Sequence, residues 1–162
     1  MGKLSVLLVD DNPQFLKAAR DLVGALPGVA AIACAKSGAE ALARARESRP
    51  DLVLTDIVMP DMSGFGLIRA LRAGENPPRI VAVTLHEGAE YRAAAQRNGA
   101  DALVSKREFG ALIPELISSL AGGGVNVDAT QIRAQPHAVF AAGGRDRRRQ
   151  RVIAIKQDGS HA

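Results

Sequence analysis

Residues 52–64, LVLTDIVMPDMSG, decide how this chain folds. Residues 52–55 read as the middle of a buried strand. The run then ends in a carboxylate, Asp56, and breaks at Met59-Pro60. A carboxylate at the end of a buried strand costs free energy unless something pairs with it. Its partners have to come from elsewhere in the chain.

Strand-like apolar runs alternate with helical patterns five times in the first 120 residues. The runs are 5–9, 29–33, 52–55, 80–84 and 102–105. They are short, unalternating and rich in Val, Ile and Leu, as expected of parallel strands covered on both faces. The helices between them carry start signals. Asn12-Pro13 puts an N-cap and an N1 proline before the first. Ser37 and Glu40 form a capping box for the second. Ser63-Gly64 precedes the third, which Gly74 can cap, and Glu87 precedes the fourth, which ends at Gly99. Residues 107–120 give the fifth, with Pro114 about one turn in, where it shortens or kinks the start. Five such units predict an α/β fold, a doubly wound five-stranded parallel sheet with helices on both faces. Ligand sites in such sheets lie beyond the carboxyl ends of the strands.

Chemistry gathers at those ends. The first strand ends in Asp10-Asp11, the third in Asp56 and the fourth in Thr84, while Lys106 follows the fifth. Clustered carboxylates raise each other's pKa, and a hard divalent cation relieves the repulsion. A cation and Lys106 together neutralise charge on an incoming phosphoryl group. One carboxylate then serves as nucleophile and forms an acyl phosphate. These are the parts of in-line phosphoryl transfer to a carboxylate. Each residue alone has a blander reading as a helix cap, a strand residue or a surface lysine; their joint placement at four strand ends does not.

The segments VLLVDDNPQF, PDLVLTDIVMPDMSG, IVAVT and NGADALVSK, in this order and spacing, resemble the receiver domain of bacterial two-component response regulators. The resemblance covers residues 1 to about 120. It implies a flavodoxin-like strand order 2-1-3-4-5. It implies that Asp56 is the phosphoacceptor, and that Asp10, Asp11, Asp56 and the backbone carbonyl of Val58 hold Mg²⁺ or Mn²⁺. Thr84 and Lys106 would bind the phosphoryl oxygens and couple phosphorylation to the surface of the fourth helix, fifth strand and fifth helix. A sensor histidine kinase or phosphotransfer protein would be the donor, an unidentified downstream protein the recipient of the signal, and a phosphorylation-dependent dimer a further outcome. Three positions depart from the family pattern. Leu103 stands where a Tyr or Phe usually reports the switch, Leu85 where a small residue usually follows the Thr, and Arg107 where a Pro usually follows the Lys. Val58, Leu85, His86 and Leu103 are therefore the expected modulators. Val58 is apolar and cannot orient an attacking water, which predicts a slowly hydrolysing phospho-Asp56.

The rest of the chain narrows the function classes. At 162 residues it is about one domain long, 47% hydrophobic and 23% charged. The single cysteine, Cys34, precludes an internal disulfide and lies in an apolar run, so a buried thiol in a reducing compartment is expected. The N-terminus lacks the pattern of a signal peptide, Val6 disagrees with a myristoylation motif, and no segment approaches the ~20 apolar residues of a membrane span. A cytoplasmic protein without membrane contact is expected. Acidic and basic residues balance through residue 120, so the net charge of +4 resides beyond it. We place a boundary there: a receiver at 1–120 and a Gly/Arg-rich, flexible tail at 121–162. Arg145, Arg147, Arg148, Arg149 and Arg151 could make weak, non-specific contact with nucleic acid, and a short strand and turn could follow at 152–159. His86, His137 and His161 are too scattered to suggest a metal site.

The expectation is thus a phosphoryl-accepting signalling switch that is not an enzyme beyond catalysing its own phosphorylation and dephosphorylation. One alternative is a regulator acting on DNA through the basic tail or a separate output protein. Another is an Asp-nucleophile phosphatase, disfavoured because Val58 stands where a second acid would protonate the leaving group. A dinucleotide fold would want a glycine-rich turn where DDNPQF stands.

Overall fold

The computed structural model describes residues 2–86, 88–122 and 139–140. Five parallel strands alternate with five helices. They are β1 (Leu4–Val9), α1 (Pro13–Gly24), β2 (Val29–Ala35), α2 (Gly38–Ser48), β3 (Leu52–Asp56), α3 (Gly64–Arg72), β4 (Arg79–Thr84), α4 (Ala89–Asn98), β5 (Ala102–Ser105) and α5 (Phe109–Ala121). The strand order is β2-β1-β3-β4-β5, as expected, and a two-residue strand extends it. This is β6 (Val139–Phe140), which runs antiparallel along the outer edge of β5 opposite Leu103 and Ala102.

Unalternating apolar runs fit because the sheet is covered on both faces. Side chains still divide by the period of two. Val6, Leu8, Leu52, Leu54, Val81 and Val83 pack on one side with α1 and α5. Leu7, Val9, Val53, Ile80, Ala82 and Leu103 pack on the other with α2, α3 and α4. Every residue of β3, β4 and β5 is buried. The helices are held unequally: α5 buries seven residues, whereas Ala95 is the sole buried residue of α4.

The start signals of α1, α2 and α3 work as read, whereas α4 begins after Gly88 with no side-chain cap. Asn12 Oδ1 accepts from the N–H groups of Gln14 and Phe15. Ser37 Oγ accepts from Glu40 N, and Glu40 reaches back to Lys36 N. Gly99 closes α4 with a left-handed φ of 103°. Two ends differ from expectation. Ala73 caps α3 instead of Gly74. A 3-10 turn at Lys106–Glu108 precedes α5, because Ser105 Oγ captures Arg107 N, so the α-helix starts at Phe109 and continues through Pro114.

The in-register pairing Asp56 with Val83 and Thr84 with Ser105 lines up the carboxyl ends of the strands. At the amino ends, a buried Asp101 accepts from Ile80 N at 2.8 Å and Arg72 Nη2 at 2.9 Å, and lies 3.6 Å from Arg79 Nη1. Among the described residues no helix is long and apolar enough to cross a membrane. Apart from its first two residues and β6, the tail lies outside the described residues. So do its basic cluster, the strand and turn expected at 152–159, His137, His161 and Glu87.

Removing Asp101 would take an ion-pair partner from Arg72 and Arg79 and the acceptor from the Ile80 N–H. Asp101→Ala should lower stability by about 3 kcal/mol, read from urea unfolding, with the carboxylates at the far end of the sheet undisturbed.

Candidate functional site

The carboxyl ends of β1 and β3 place two acids side by side, and the turn after β5 brings a cation to them. Asp10 is 2% exposed, and its Oδ1 accepts from Asn12 N at 2.8 Å. Asp56 closes β3 at 7% exposure, and its Oδ1 accepts from Val58 N at 3.2 Å. Lys106 Nζ donates to Asp56 Oδ2 at 3.2 Å and lies 2.6 Å from Asp10 Oδ2, off the angle of a good hydrogen bond. Asp11 stands beside them, exposed.

The ammonium is held from below as well. It sits 4.5 Å from the centroid of the Phe15 ring, which meets Phe109 edge-on at 5.3 Å. Phe15 was missed at the sequence level, although it follows the Asp pair within the first turn of α1. Burial pushes the Asp10 carboxyl up, and the Asp56 charge adds to this; Lys106 and the Asn12 N–H oppose it without prevailing. Burial would lower Lys106, yet its contacts with Asp10 and Asp56 outweigh that and hold its ammonium above the ordinary lysine value.

Three carboxylates face one ammonium, leaving two negative charges uncompensated when all are ionised. One oxygen from each of Asp10, Asp11 and Asp56 can lie within 4.8 Å of the others. The buried Asp10 Oδ2 has no well-aligned hydrogen bond. Hard oxygen donors in this number and spacing fit a divalent cation.

The loop after β3 is tied in two ways. Gly64 N donates to Ile57 O at 3.0 Å, and a Cβ at residue 64 would collide with the Asp56 carbonyl and Ile57 Cα. Asp61 accepts from Gly38 N at 3.1 Å and Ala39 N at 3.2 Å, so a loop carboxylate caps the neighbouring helix α2. These N–H groups hold its carboxyl below the usual range. Neither residue was singled out for these contacts from sequence.

The remaining expected residues divide by position. Thr84 is fully buried, and its Oγ1 accepts from His86 N at 2.9 Å. Val58 and Leu85, 51% and 57% exposed, stand on the segments that follow β3 and β4. His86 is exposed, its ring stacked on Tyr91. Leu103 is 4% exposed and belongs to the core shared with α2, α3 and α4. Cys34 is only partly buried on the edge strand, with its thiol pushed up by burial.

A family model described as the response regulator receiver domain matches residues 6–117. A protein-glutamate methylesterase/protein-glutamine glutaminase of Myxococcus xanthus is 35% identical over 123 residues, 75% of this chain and 35% of that protein. A relative of the same name from Pseudomonas savastanoi is 32% identical over 157 residues, 94% of this chain and 46% of that protein. The chain therefore spans between about a third and a half of these relatives. A two-component response regulator of the LuxR family from Aurantimonas sp. SI85-9A1 superposes with a TM-score of 0.68 at 28% identity, covering 83% of this chain and 97% of that one. A chemotaxis response regulator of Vibrio cholerae gives 0.61 at 26%, covering 71% and 92%.

These relatives correct one expectation, that the chain is not an enzyme. The curated proteins it matches are enzymes by name, methylesterases and glutaminases, with the shared similarity concentrated on the receiver region. The misreading has a physical source: the strand-end motifs describe phosphoryl acceptance and carry no trace of the activities that the relatives' names describe.

Gly64→Ala should cost about 2 kcal/mol of stability in denaturant unfolding, since the new methyl meets backbone on a buried strand end. The Asp61 contribution is complete above the usual carboxylate range and is lost as pH falls through its depressed folded value. Unfolding midpoints of wild type and Asp61→Ala should therefore differ at neutral pH and converge as pH falls through that depressed value.

Proposed function

Given that the chain belongs to the response regulator receiver domain family, the phosphoryl-accepting switches of two-component signalling, we propose Asp56 as its acceptor and assign roles to the residues around it. Receiver domains interact with histidine kinases or phosphotransfer proteins, and a phosphohistidine on such a partner is the donor in this reading. The observation that carries it is the Lys106 ammonium set between Asp10 and Asp56 with Asp11 beside them.

An Asp56 carboxylate oxygen attacks phosphorus. A P–O bond forms, the P–N bond breaks, and its electron pair stays with the departing imidazole. Lys106 has three N–H donors and holds phosphoryl oxygens as they approach. The Thr84 hydroxyl donates to another. Asp10, Asp11 and Asp56, with the carbonyl of Val58, would hold Mg²⁺ or Mn²⁺, which when bound neutralises charge on the transferred group. The exposed Val58 side chain leaves no polar group two residues after Asp56 to orient water against the acyl phosphate.

For the output, we infer control of an activity of the kind its relatives' names describe, hydrolysis of glutamate esters or glutamine amides in proteins. The similarity to the Pseudomonas savastanoi protein covers 94% of this chain, so it runs past α5 into the tail. Methanol release from a methyl-esterified protein in host extracts should depend on Asp56; equal release from cells carrying wild type and Asp56→Ala would exclude this output.

Radiolabelled acetyl phosphate with Mg²⁺ should label the wild type and leave Asp56→Ala unlabelled, and chelation should abolish labelling. Lack of labelling by any small phosphodonor or kinase would overturn the acceptor assignment. Val58→Asn should shorten the lifetime of the labelled species several-fold in a chase experiment; an unchanged lifetime would discard the role given to Val58.

A further inference from the structure

The fifth strand of this receiver lacks an aromatic reporter, since Leu103 is buried in the core and has no polar tip to follow a hydroxyl. An aromatic pair stands on the neighbouring path instead. Thr84 Oγ1 accepts from His86 N at 2.9 Å. The His86 ring stacks on Tyr91 with centroids 4.9 Å apart and planes 19° from parallel. Tyr91 lies in the first turn of α4 and packs partly against the core. One hydrogen bond and one ring contact therefore connect the Thr84 hydroxyl to α4. That helix is also the one least anchored, with only Ala95 buried.

We propose that the His86–Tyr91 pair reads the state of Asp56 through Thr84 and passes it to α4. The inference rests on Asp56 being the acceptor. Threonine is β-branched and occupies discrete side-chain wells. Turning its hydroxyl toward a phosphoryl oxygen carries Oγ1 away from the His86 N–H. That N–H then loses its partner, the segment between β4 and α4 moves to find another, and the His86 ring leaves Tyr91. His86 and Tyr91 touch no reacting atom; they act as positioning residues for the surface of α4.

The chain contains one tyrosine and no tryptophan, so its tyrosine emission reports Tyr91 alone. Beryllofluoride with Mg²⁺ added to the full chain, its occupancy followed in parallel by fluorine NMR, should raise that emission as the imidazole withdraws. Asp56→Asn should show neither signal. Thr84→Val should remove the emission change at whatever fluorine occupancy it reaches. His86→Ala should begin at the higher emission and rise no further. Bound beryllofluoride with unchanged wild-type emission would overturn this inference and leave the acceptor assignment standing. An undiminished response in His86→Ala or Thr84→Val would likewise overturn the route. Absence of bound fluorine in the wild type would overturn the acceptor assignment and this inference together.

Discussion

The site depends on one ammonium group shared between two strand ends. Asp10 and Asp56 are buried where the register of a parallel sheet forces them close, and neither position is tolerable for a carboxylate without a nearby cation. Lys106 reaches both, 2.6 Å from one and 3.2 Å from the other. Its position requires the tight turn after β5, which ends where α5 starts, and the Phe15 ring beneath it, which requires the start of α1. The edge-on contact of Phe15 with Phe109 joins those two helices under the charge. The packing of one face of the sheet and the electrostatics of the site are thus a single arrangement.

Much of this was legible in the chain. Parallel strands covered on both faces leave short unbroken apolar runs, and a polar residue just after each run is conspicuous. Asp10, Asp56 and Lys106 were found that way, as were the caps at Asn12 and Ser37. The contacts that escaped reading join residues distant in sequence. Nothing in MPDMSG says that Asp61 will cap α2 instead of its own helix. Nothing near Asp101 announces two arginines and the amide of Ile80. The pairing of β6 with β5 was equally hidden, because Val139–Phe140 is too short to read as a strand and its partner edge exists only once the sheet is built. Kinship with methylesterases was invisible for another reason: acceptance of a phosphoryl group demands the same residues whatever activity is being controlled.

The two sides of the sheet serve different purposes. On one, α1 and α5 bury continuous apolar faces and carry the rings that support Lys106. On the other, α4 contributes little to the core and stands next to the segment that follows Thr84. A helix that is weakly buried is displaced at low energetic cost, so the lightly packed side is the side suited to change shape.

Asp101 gives β4 and β5 a mechanical character. The buried acid and its two arginines pin these strands to α3 at their amino ends, while their carboxyl ends finish at Thr84 and Ser105, on the side of the sheet where β3 ends in Asp56. The pair resembles a cantilever, clamped at its root and loaded at its tip. Ion pairs at the root oppose sliding of the strands along their length, which leaves the segments at the tip, toward α4 and toward α5, the less restrained ends. The clamp does no chemistry, yet it determines the direction in which chemistry can be felt.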